Sequence, residues 1–315
     1  MSGNIQSLLP SKGRYRPAVL LLAFSVVTLA LGFSIGASML SADHDFYLSS
    51  SLASLIVIHP VLMVFGVIGG LLISEKLELM RNFTIFGKLK MSLLIVPMTI
   101  AGISVYSIGL LLSVQTVSDV GALLIALVGL LFMWFMVSGR SHGNRDAKVI
   151  MGASLFSLAL SSIAEAAGNA VESPVVALLL LTFPVVYVLG ERIELGQMRG
   201  IGRSWISFLK ASSAAAPVLL FIDTVIPGKL VEFLLFNASV MFLVSMGIIS
   251  AIHDPSIRIS ESRSILQEFM KFGIRSSYAW LFLGLGLYAI QYDVARGFMD
   301  AATHSIAIGF LSFLW

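Results

Sequence analysis

The feature that most constrains this chain is the spacing of its charges. Charged residues fall in clumps, and apolar stretches of about 17–25 residues run between them, each long enough to cross a hydrocarbon core of about 30 Å as a helix. Within lipid a backbone must bond its own amides, which such runs do only as helices or closed barrels. Only 12% of the residues are charged and 57% are hydrophobic, with a mean hydropathy of +0.96. A soluble domain carries about 25% charged residues. A soluble fold, a disordered chain, a nucleic-acid-binding protein and a disulfide-stapled secreted domain are excluded together. The expected fold is all-α and polytopic, a single integral membrane domain over residues 1–315.

Apolar runs read against breakers give ten spans, at about 17–40, 51–74, 91–113, 120–138, 149–168, 174–190, 211–226, 230–252, 276–291 and 298–315. The first lacks a small-residue cleavage site and reads as a helix, not a signal peptide. Pro97, Pro184 and Pro217 fall inside spans, where neighbouring helices cover the freed carbonyls. The last span ends at Trp315 without a polar cap, so the sequence reads either as stopping there or as truncated in its tenth helix.

Orientation follows from the basic residues. One side collects Lys12, Arg14 and Arg16, then Lys76, Arg81, Lys88 and Lys90, then Arg140, Arg145 and Lys148. The same side takes Arg192, Arg199, Arg203 and Lys210, then Arg258, Arg263, Lys271 and Arg275, leaving Lys229 and Arg296 on the other. Eighteen of the 20 Lys and Arg residues therefore share a side. By the positive-inside rule that side, and the N-terminus, are cytoplasmic, which points to the cytoplasmic membrane.

Residues 73–79 (Ile-Ser-Glu-Lys-Leu-Glu-Leu) and 189–195 (Leu-Gly-Glu-Arg-Ile-Glu-Leu) echo one another at an offset of 116. Both close a span on the basic side, so the second and sixth helices end alike and a four-helix repeat is expected. Glu75, Glu78, Glu191 and Glu194 read as structural residues paired with nearby arginines.

With no cysteine, thiolate metal sites and disulfides are impossible, and metal chemistry falls to His, Met, carboxylates or Tyr. Of five histidines, His44 and His142 fall in loops and His253 ends the eighth span, where a helix C-terminus favours it. His59 and His304 instead lie inside spans two and ten, roughly 9–12 Å below the outer boundary at 1.5 Å per residue. Two imidazoles at matched depth suggest one shared object, and a haem held by two axial histidines is the natural one. Met63, Gly66 and Gly70 share the His59 face at helical spacing, and the glycines are expected to let a flat macrocycle approach. Ala301 and Ala307 take that role beside His304. Asp300, one turn before His304, can accept its Nδ1 proton, and Arg296, Tyr292 or Tyr47 can meet a propionate. Glu165 and Asp223, near the outer ends of spans five and seven, read as lining a proton or ion path or as reaching the interface.

The stretch His59-Pro60-Val61-Leu62-Met63-Val64-Phe65 resembles the second helix of haem–copper oxidase subunit I, where such a His binds the low-spin haem. That resemblance implies a second axial His on the tenth helix, where His304 stands, and three four-helix arcs in which helices two, six and ten are equivalent. The segment Thr303-His304-Ser305-Ile306-Ala307-Ile308-Gly309-Phe310 is similar to segments of NnrS-type proteins, multi-span haem–copper membrane proteins tied to nitric oxide stress. The departures are specific. Phe183-Pro184-Val185-Val186-Tyr187 stands where an oxygen-reducing oxidase has His-Pro-Glu-x-x-Tyr, and the seventh span lacks paired histidines. One b-type haem site is therefore expected, without a complete binuclear centre; copper is compatible with the resemblance, but its ligands are not identified.

The function expected is electron transfer, or nitric oxide or oxygen binding and response, with a lipid bilayer, a redox partner protein or a small gas ligand as partners. A transporter of ions or small molecules that uses buried Glu165, Asp223 and Asp300 is the alternative. No nucleophile–base constellation for an embedded enzyme is found.

Overall fold

A computed structural model describes residues 16–42, 58–79, 84–85, 89–138, 144–168, 173–197, 200–257, 265–294 and 297–311. The described residues form ten helical rods, which correspond one to one with the ten apolar runs. They are α1 (Arg16–Ala42), α2 (58–79), α3 (Met91–Leu111), α4 (Gln115–Val137) and α5 (Arg145–Ala166). Then come α6 (Pro174–Gln197), α7 (Arg203–Val225), α8 (Lys229–His253), α9 (Ile265–Val294) and α10, which starts as Gly297–His304 and continues to residue 311. Eight of them, α1 to α8, are long and apolar enough to cross a membrane. A two-residue antiparallel pair, Thr84–Ile85 with Leu89–Lys90, joins α2 to α3.

Several helices outrun the apolar stretches that announce them, α7 and α9 the furthest. The seventh begins at Arg203, not 211, and the ninth at Ile265, not 276. A charge ends an apolar run but not a helix, because helical backbone stays satisfied at the interface while Lys and Arg reach water. Accordingly, Gln267, Glu268, Phe269 and Met270 in the early turns of α9 are exposed.

Neighbouring rods follow a pattern. α1 packs on α2 and α3, and α5 packs on α6 and α7. α3 lies against α4, and α7 against α8; α9 carries α10. α6 sits at the centre and also touches α2, α8 and α10. Its span is 83% buried inside the protein, against 22% for α1, whose Val19, Leu20, Val26 and Phe33 point outward. So much exposed apolar surface suits a bilayer and not water. The chain is a multi-pass membrane protein.

Two rods contain a π-helical stretch, Leu62–Gly69 in α2 and Ser305–Phe310 in α10. Such widened turns often mark functional sites. Here one begins three residues after His59 and the other directly after His304.

Candidate functional site

His59 stands in the first described turn of α2, half-buried, with its Nδ1 2.9 Å from the Gly32 carbonyl oxygen of α1. A carbonyl only accepts, so Nδ1 carries the proton and Nε2 keeps its lone pair. The approach depends on Gly36, where an added Cβ would lie 3.1 Å from His59 Cε1. His304 is held in the same sense. Its Nδ1 lies 2.8 Å from the Asp300 carbonyl oxygen and 3.0 Å from Asp300 Oδ1. Neither Nε2 has a hydrogen-bond partner among the described residues. The two imidazoles are close enough to interact electrostatically, and Asp300 reaches His59 in the same way. Two histidines 245 positions apart in the sequence thus lie within electrostatic reach of one another, on helices that both touch α6, each with Nδ1 tied down.

α10 is positioned by α9. The Tyr288 hydroxyl, buried on α9, bonds Thr303 Oγ1 at 2.7 Å, one residue before His304. Gly284 admits α10 closely, since a Cβ there would meet the Ala302 carbonyl oxygen at 2.9 Å. The opposite face of α10 is open: the His304 side chain is 45% exposed and that of Asp300 86%.

The apolar stripe below His59 faces elsewhere than expected. Gly66 does not clear space for a flat cofactor, because a Cβ on it would lie 2.8 Å from the Thr28 side chain of α1. Met63 rests on the same helix, with its Sδ 2.7 Å from where a Gly32 Cβ would be, and Gly70 abuts Ser25. Met63, Gly66 and Gly70 are therefore the α1–α2 interface. Ala301 is exposed and Ala307 half-buried. Arg296, Tyr47, His44 and His142 lie outside the described residues, as does the side chain of Tyr292. His253 ends α8 with Nδ1 2.8 Å from the Ile249 carbonyl oxygen of its own helix. Among the described residues no three His, Asp or Glu side chains gather as a metal cluster; a two-imidazole site needs none.

A family model described as a domain of unknown function, DUF8744, matches residues 18–314. The chain belongs to the DUF8744 family. No curated protein and no solved structure matches it.

Elsewhere in this DUF8744 protein the charges divide by end. Where α2 and α6 finish, Lys76 Nζ lies 2.5 Å from Glu191 Oε1 and 3.3 Å from Glu75 Oε1. The same ammonium sits 5.8 Å from the Tyr187 ring centroid. The two echoed sequences therefore grip each other, through a lysine where arginines were expected. Glu194 accepts from the Asn144 backbone N–H at 2.9 Å, Asn144 caps α5, and Lys210 Nζ meets Asp146 Oδ1 at 2.7 Å. Glu78 lies outside the described side chains. At the other end Glu165 and Asp223 are buried, and neither has a hydrogen-bond partner on either oxygen among the described residues.

Sequence reasoning missed the acceptor for His59. The signal was present in Gly32-Phe33-Ser34-Ile35-Gly36, a small-xxx-small spacing that lets membrane helices approach closely. Tyr288 had no comparable signal, because its partner Thr303 is on a different helix.

Proposed function

We propose that this is a b-type haem protein of the cytoplasmic membrane, resembling NnrS-type proteins and oxidase subunit I, with His59 and His304 as its two axial ligands. The observation that carries the proposal is the matched state of the two rings. A metal-bound histidine usually donates its other N–H to a carbonyl or carboxylate, which fixes the ring and raises its basicity. Both rings have that bond, both leave Nε2 available, and each precedes a π-helical stretch. A haem held there would supply one-electron exchange, or, where one of the two imidazoles gives way, an iron able to take a diatomic gas. The chain's part is to hold the rings. Gly32 and Gly36 seat His59 against α1, while Asp300 and the Tyr288–Thr303 bond seat His304.

The wider reading has ten spans with the N-terminus in the cytoplasm, supported by the eighteen-to-two charge split. A four-helix repeat is supported by the neighbour pattern, in which α1 with α2 and α3 parallels α5 with α6 and α7, and α6 touches both α2 and α10. Reporter fusions in the 139–148 loop test the orientation and should report a cytoplasmic position. Purified protein should show a Soret band that sharpens and shifts on reduction. Its absence in protein supplied with haem during expression would reject the site.

A second reading is a transporter of ions or small molecules. It is favoured by the burial of Glu165 and Asp223 without partners, because ionisable groups inside a membrane mark pathways. Asp300, its third carboxylate, is exposed and engaged with His304. Proton-dependent uptake into vesicles that survives His59→Ala would favour this reading over the haem.

A further inference from the structure

Glu165 occupies the last turn of α5, with 5% of its surface exposed and neither carboxyl oxygen hydrogen-bonded among the described residues. A carboxylate in that position faces three penalties. It is removed from water, which costs more than any unpaired charge recovers inside a bundle. Among the described residues it has no charged donor to replace the lost hydration, only the neutral Tyr106 hydroxyl. It also sits at a helix C-terminus, the negative end of the macrodipole, which opposes a second negative charge.

Among the described residues the surroundings offer no compensating charge. From α3 the Tyr106 hydroxyl, the one polar neighbour of Glu165 among the described residues, lies against its carboxyl at the edge of hydrogen-bonding geometry, and Tyr106 is itself 4% exposed. From α4 the nearest charge is Asp119, another acid, which acts on Tyr106. The turns of α6 alongside, residues 174–186, carry no ionisable side chain. α7 contributes only Asp223, which is likewise buried and unpartnered.

We infer that Glu165 is a proton-binding site, held as the neutral acid with its O–H directed at the Tyr106 oxygen, which exchanges its proton when the end of α5 opens to water. This goes beyond the imidazole pair and is independent of it, for Glu165 lies on helices that carry neither histidine. A neutral carboxyl in an apolar site is also a defined chemical target. Its O–H adds across one C=N bond of a carbodiimide: the proton goes to nitrogen and the carboxyl oxygen bonds the central carbon. The resulting O-acylisourea, and the N-acylurea it rearranges to, retain every atom of both reactants.

The test treats purified full-length protein in vesicles with dicyclohexylcarbodiimide, or with a water-soluble carbodiimide, and locates the adduct by peptide mass spectrometry. The apolar reagent should label Glu165 at least tenfold more than exposed Glu75 at pH 7, with labelling falling as the pH rises; the water-soluble reagent should reverse that preference. Infrared spectra supply a second measurement that modification cannot confound. A carbonyl band of a protonated carboxyl should vanish in Glu165→Gln and move to higher frequency in Tyr106→Phe. Tyr106→Phe keeps the ring's packing and so serves if Glu165→Gln does not fold. Absence of label at Glu165 while other acids react overturns the inference, as does a carbonyl band indifferent to both variants. The optical spectrum of either variant should match wild type, so failure here is distinguishable from failure of the haem reading.

Discussion

Glu191 and Glu194, near the C-terminus of α6, and Glu165, at the C-terminus of α5, occupy equivalent places on adjacent helices. All three face the unfavourable end of a helix dipole. The α6 pair is answered, by Lys76 and by the Asn144 N–H that opens α5. Glu165 is answered by nothing charged. At the basic end Glu191 and Glu194 meet donors and fasten helices together, whereas the same residue type at the other end meets no opposite charge among the described residues. The histidines are a third case: they lie in the less basic half, yet each is held by an acceptor chosen to free its second nitrogen.

Substitutions at four places probe this contrast, from the largest expected effect downward. His59→Ala or His304→Ala should abolish the low-spin haem spectrum. His253→Ala should leave it unchanged, because that ring is tied to its own helix at the basic end; retention of the spectrum in either of the first two variants defeats the pairing. Lys76→Ala should lower stability by about 3 kcal/mol, since it strands Glu191 in a largely desolvated position. A thermal melt in detergent reads that loss, and Lys76→Met with Glu191→Gln should recover most of it.

Gly66→Ala should cost about 1–3 kcal/mol by overpacking against Thr28. Thr28→Ala should relieve it, whereas a Gly66 that lined a cofactor would show a shifted Soret band and no relief. The smallest effect is expected for Asp300→Asn. Haem should be retained, but its potential should rise in a redox titration, because a neutral partner makes His304 a weaker donor to oxidised iron.

The helices were legible because hydrophobic length in a membrane leaves the backbone so little choice. All ten apolar runs correspond to rods, and the misplaced ends of α7 and α9 came from treating Lys210 and Arg275 as boundaries when each lies within a helix that runs on into the interface. His59 and His304 stood out because a polar residue among Val and Leu is conspicuous. Their surroundings did not. Helical spacing gives which residues share a face with His59 but not which neighbour that face meets, so Met63 and Gly66 read as cofactor contacts while α1 covers them. The acceptor for His59 is a backbone carbonyl, which every residue has and no sequence displays. The π-helical stretches also rotate side chains away from the positions regular spacing assigns.

The carbonyl that orients His59 belongs to the rod least wrapped by protein, since α1 is 22% buried and meets mainly α2 and α3. Most of the surface of α1 is exposed and apolar, the kind of surface that faces lipid in a bilayer. A helix accommodates a thicker or thinner bilayer by tilting, and a tilt of α1 slides Gly32 along the imidazole it holds. The hydrocarbon around the protein thus becomes part of the mounting of His59, so that bilayer thickness acts directly on the angle at which this ring is presented.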